Sequence, residues 1–76
     1  MVVHSLRMRF TSDQVAAVAE IIGVDLVSEG IEIDALRRGM DVELEHGRRD
    51  PRTNVTDDDP ILTGKIALAH LKELQD

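Results

Sequence analysis

Two short clusters in this chain carry side chains able to ligate a metal or move a proton: Glu43-Leu44-Glu45-His46 and His70-Leu71-Lys72-Glu73. In each, a Glu and a His stand three residues apart. Residues i and i+3 share a helix face, so on helices each pair converges on one point. Carboxylate oxygen and imidazole nitrogen together suit zinc, iron or manganese. Di-iron bundles hold their metals with Glu-x-x-His sets on paired helices, although they use two further carboxylates. Glu43, Glu45, His46, His70 and Glu73 are therefore candidate metal ligands, and the expected cofactor is none or one transition metal. A simpler chemistry competes with this. A His beside an apolar face commonly serves as a hydrogen-bonded core residue, and His70 is expected to bond Glu43 or Glu45 across a helix–helix seam. That pairing ties the clusters together without metal and is the preferred reading, ahead of a metal site and further ahead of catalysis. Catalysis needs a pocket and a nucleophile or activated water. Thr53, Thr56 and Thr63 offer hydroxyls, but no spacing arranges them, and an enzyme is not expected.

Other motifs carry less. Asp57-Asp58-Asp59 lacks the alternating ligands, central Gly and distant Glu of a calcium loop, and Pro60 follows it directly. Helix capping explains the run better. Arg48-Arg49-Asp50-Pro51-Arg52 has the chemistry to touch phosphate, but reads first as a solvated loop face. His4 supports no functional role.

Composition narrows the function classes. Seventy-six residues make one domain, near the lower end of what folds alone. Cores of this size gain from a disulfide, a metal or a partner chain. There is no Cys, which leaves a partner or a His/carboxylate metal. A protein partner or self-association is expected. Net charge is −6 and Phe10 is the sole aromatic residue, so neither a basic face nor base stacking is available for nucleic acid. No apolar run approaches the ~20 residues that span a bilayer. The start, Met1-Val2-Val3-His4-Ser5, does not read as a signal peptide, so a cytoplasmic location is expected.

The elements that must position the clusters are legible to different degrees. Leu6, Met8 and Phe10 alternate with Ser5, Arg7 and Arg9, which predicts an extended, half-buried arm over residues 1–10. A helical domain over 11–76 follows. Thr11 with Gln14 forms a capping box, Val15, Val18, Ala19 and Ile22 recur at helical spacing, and Gly23 is a C-terminal stop, predicting a helix over 12–22. Val24, Leu26 and Val27 predict a connection that packs on the core. A short second helix is expected from Ile33 through Arg37, with Gly39 interrupting it and Arg37 and Arg38 in its last turn. Residues 40–46 fit either strand or helix. Helix is preferred because Leu36, Met40 and Leu44 then form one stripe, and Gly47 should end it. Residues 48–59 read as a polar loop. The last helix starts at Pro60 with Asp59 as N-cap. Its predicted apolar face comprises Ile61, Leu62, Ile66, Leu68, Ala69 and Leu71, and Gly64 within it predicts a close helix–helix contact.

The blocks Gly-Met-Asp-Val-Glu-Leu-Glu-His-Gly from Gly39, Thr-Asn-Val-Thr-Asp-Asp-Asp from Thr53 and Gly-Lys-Ile-Ala-Leu-Ala-His-Leu-Lys-Glu from Gly64 resemble a small family of uncharacterised domains in prokaryotes and their viruses. The resemblance runs from about Phe10 to Glu73. It implies that Glu43, Glu45, His46, His70 and Glu73 belong to the family's signature, and it suggests a link to phage or mobile-element genes. The resemblance implies an acidic and aromatic tail ending in tyrosines after the last helix; the given sequence runs to Leu74-Gln75-Asp76. The expected fold is all-α: a compact bundle of three to four short helices with an extended N-terminal arm. The expected function is a small binding or structural module in which the Glu/His cluster fixes helix docking. The alternatives are a metal-binding domain and, after it, a metal-assisted hydrolase.

Overall fold

Helix α1 spans Ser12–Ile22 and is set by signals at its two ends. The Thr11 hydroxyl accepts from the Gln14 backbone N–H, and the Gln14 side chain accepts from the Thr11 N–H. Phe10 precedes the cap and Val15 lies in the second turn. Both are buried, at the two positions of a hydrophobic staple. Gly23 ends the helix with φ +88, a left-handed angle that costs glycine nothing. The computed structural model describes residues 9–54, 56 and 58–75, excluding the side chains of Thr53 and Gln75. The alternation predicted for Leu6 and Met8 lies outside these residues.

The connection after α1 is folded by its own polar groups. The Asp25 carboxylate accepts from the N–H groups of Val27 and Ser28, and Gly30 turns the chain with φ +69. Val24 and Leu26 pack on the core as predicted, whereas Val27 is 90% exposed.

Helix α2 runs unbroken over Ile33–Arg49 and corrects the expected short helix. Gly39 and Gly47 both lie inside it. Glycine costs helix propensity but does not by itself end a helix, and each of the two has a close neighbour elsewhere in the fold. A Cβ on Gly39 would lie 3.4 Å from Ala67 Cβ, and one on Gly47 would lie 2.8 Å from Asn54 Oδ1. Residues 40–46 are helical. Leu36, Met40 and Leu44 form the predicted stripe and are buried. The last turn holds His46, Arg48 and Arg49, where positive charge suits the helix dipole. Arg37 sits mid-helix instead and has other partners.

A single 3₁₀ turn, Pro51–Thr53, and a knotted-up polar loop lead to helix α3, Pro60–Gln75. Asp59 Oδ1 caps α3 by accepting from the N–H groups of Ile61 and Leu62, at 2.8 and 3.2 Å. The face α3 buries overlaps the predicted one: Ile61, Leu68 and Leu71 pack on the core. Thr63, Gly64 and Ala67 are also buried, while Leu62 is 44% exposed and Ala69 lies at the surface. Small residues let α3 approach both earlier helices closely. A Cβ on Gly64 would lie 2.5 Å from Val18 Cγ1, which is the close contact that glycine predicted. The bundle is all-α; among the described residues, three α-helices surround a core of Phe10, Val15, Val18, Ala19, Ile31, Leu36, Met40, Leu44 and Ala67.

Candidate functional site

The seam between α2 and α3 brings together one member of each Glu/His cluster. Glu43, on the α3 side of the Leu36–Met40–Leu44 stripe, meets His70 one turn beyond the Gly39–Ala67 contact. The His70 Nδ1–Glu43 Oε1 distance is 3.0 Å. The Glu43 side chain is 15% exposed and His70 is 57% exposed. The carboxylate therefore sits largely withdrawn from water, and its partner arrives from the solvent side.

The remaining candidates are distributed differently. Glu45 is turned to the opposite flank of α2, where it pairs with the Arg9 guanidinium. His46 lies exposed in the last turn of α2, and Glu73 is exposed near the end of α3. Among the described residues, no three His, Cys, Asp or Glu side chains form a group that could hold a metal. Of the five, the fold brings Glu43 and His70 into direct polar contact.

Around that pair lies an open groove of about 330 Å³ lined by Ala35, Val42, Ala67, Leu71 and Leu74, with Arg38 at its rim. Val42 is 51% exposed and Leu74 83% exposed. The groove is apolar on both walls, with the Glu43–His70 pair as its polar feature.

Two further polar arrangements escaped sequence reasoning. Along the other flank of α2, Asp34, Arg37, Asp41 and Glu45 follow one another at helical spacing, one Arg among three acids. Arg37 bridges Asp34 and Asp41 at 2.9 and 3.0 Å. Asp41 also receives the backbone N–H groups of Arg9 and Phe10. The spacing of these charges was visible in the sequence, but the arrival of the arm was not. The second arrangement is the loop lock before α3. The Thr56 hydroxyl, 3% exposed, lies 3.5 Å from Asn54 Oδ1 and accepts from the Asp58 N–H at 3.3 Å. Asp58 adopts a left-handed φ of +62 and pairs with Arg48 on α2. The signal for this lock was the wealth of turn formers in residues 50–59. Asp50 caps the 3₁₀ turn and pairs with Arg52, which holds its carboxyl below the ordinary 3.8 and raises the Arg52 guanidinium.

A small all-helical bundle with a polar pin in one helix seam is the class these features define. Residues 15–76 match a family model described as "Protein of unknown function (DUF5661)", and the chain belongs to that family. No curated protein and no solved structure matches the chain.

Proposed function

We propose that this domain is a small protein-binding module that works by self-association, and that the Glu43–His70 pair pins α3 in the position that shapes its binding groove. The observation that carries this reading is the 3.0 Å contact between Nδ1 of His70 and Oε1 of Glu43, made across the seam at the edge of an apolar groove. A directed polar contact between helices fixes register in a way apolar contact alone does not. The exposed Val42 and Leu74 supply apolar area that a 76-residue core gains by burying against a second copy. At net charge −6, two copies repel each other, so association strengthens as salt rises. The phage or mobile-element link suggested by the sequence fits a small accessory module of this kind.

Sedimentation across a range of protein concentrations tests the proposal. The expected result is a monomer–dimer equilibrium that shifts toward dimer with salt, and a Val42→Asp variant that stays monomeric with an unchanged melting temperature. A wild type that remains monomeric throughout contradicts self-association and leaves the groove to a different protein.

A further inference from the structure

Arg9 and Phe10 are held on α2 in an unusual way. Asp41 Oδ1 accepts from both of their backbone N–H groups, at 3.2 and 3.0 Å. The second Asp41 oxygen accepts from Arg37 Nη1 at 3.0 Å, and Arg37 is in turn bound to Asp34. The Arg9 guanidinium reaches Glu45, one turn further along the same flank. The Phe10 ring is 7% exposed. Among the described residues, Arg9 and Phe10 make no backbone–backbone hydrogen bond. Their polar attachment to the domain runs through two carboxylates of one helix.

The hydrogen bonds that cap helix α1 do not depend on that attachment. The first turn of α1 is closed by Thr11 and Gln14, both downstream of Phe10. Lifting Arg9 and Phe10 therefore breaks the contacts to Asp41 and Glu45 and exposes one aromatic ring, while the hydrogen-bond ladders of the three helices stay intact. Segments attached in this way open locally, at a free energy below that of global unfolding.

We propose that Arg9 and Phe10 form a displaceable strap whose clasp is the Asp41 carboxylate. With the strap closed, Phe10 covers the core at the start of α1 and Arg37 stays neutralised between Asp34 and Asp41. With it open, the apolar surface under Phe10 and the acidic flank of α2 become accessible together, and the helices remain folded. The two contacts contribute unequally. Asp41 is 15% exposed and Arg37 12%, so water and salt screen the clasp poorly. Arg9 and Glu45 are 26% and 41% exposed, which makes theirs the weaker link.

Trypsin reads the opening directly, because cleavage after Arg9 requires that residue and its peptide bond to leave Asp41 and Glu45. Cleavage tracks the population of the open form when opening is fast. Wild type, Asp41→Ala and Glu45→Gln are compared by mass spectrometry, with cleavage after the exposed Lys65 inside α3 as the internal control and far-ultraviolet circular dichroism as the readout of helix. Asp41→Ala is expected to speed cleavage after Arg9 by about tenfold or more, because charge-assisted hydrogen bonds are lost. Glu45→Gln is expected to speed it by roughly two- to fivefold. Both variants should keep their helical signal and their wild-type rate after Lys65. Should Asp41→Ala unfold, Glu45→Gln decides. Unchanged cleavage after Arg9 in the folded variants, or acceleration in step with Lys65, overturns the strap.

Discussion

Three glycines inside helices decide how close the elements of this bundle can come. Gly64 faces Val18, where an added Cβ would sit 2.5 Å from Cγ1, with Ile22 and Met40 behind it. Gly64→Ala gains up to ~1 kcal/mol of helix propensity. It is nevertheless expected to destabilise the protein by about 1–3 kcal/mol, because both helices would have to move apart. Gly39 is the contrasting case. Its added Cβ would meet Ala67 Cβ at 3.4 Å, the edge of ordinary contact. Gly39→Ala is expected to be neutral or mildly stabilising. Denaturant midpoints of the two variants check the order, and a Gly64→Ala protein as stable as wild type would contradict the packing described here. Asp50 gives the one pH effect at this scale. Its carboxyl is lowered by the Arg52 side chain and backbone, so its contribution is fully present above about 3.8 and is lost as pH falls through the lower folded value. An Asp50→Asn variant should therefore lose the part of the acid response that falls below that pH in unfolding curves.

At the scale of elements, the loop lock and the α3 cap are local devices that set where α3 begins. Removing the Asp59 cap by Asp59→Ala is expected to cost about 0.5–2 kcal/mol. Gly47→Ala acts through a different contact, since the new methyl would occupy the space held by the Asn54 amide, 2.8 Å away. It is expected to displace Asn54, loosen Thr56 and Asp58, and be partly rescued by Asn54→Ala in the same chain. A thermal-melting comparison of Gly47→Ala with the double variant reads this coupling, and strict additivity would contradict it. These same elements show what was legible in the sequence. α1 was readable to the residue because its cap, stripe and stop are all local. The union of Ile33–Arg49 into one helix was not readable. Gly39 and Gly47 look like breakers locally; Asn54 explains glycine at 47, where a Cβ would lie 2.8 Å from its side chain, while at 39 a Cβ would meet Ala67 at ordinary contact distance. The buried face of α3 was read in part. Ile61, Leu68 and Leu71 pack on the core as predicted, but the tight crossing adds Thr63, Gly64 and Ala67 and leaves Leu62 half outside. Of the site, the meeting of Glu43 with His70 was legible from two Glu/His pairs at helical spacing. The diversion of Glu45 to Arg9 was not, because it depends on the path of the arm.

For the molecule as a whole, the central claim is that the polar contact between Glu43 and His70 holds α3 to α2. His70→Ala would leave a carboxylate that is 15% exposed without its partner, a loss of roughly 1–3 kcal/mol. For a domain of this size each 1 kcal/mol moves the melting temperature by about 4–8 °C. The measurement that tests the claim most directly is the melting of tag-free wild type, Glu43→Gln, His70→Ala and the double variant, with and without chelator, alongside elemental analysis. The account predicts that His70→Ala melts several degrees below wild type, that Glu43→Gln in the same chain recovers part of the loss, and that chelator moves none of the four curves. A stoichiometric metal in wild type, with a chelator-induced drop that His70→Ala abolishes, would contradict the account and make the seam a metal centre.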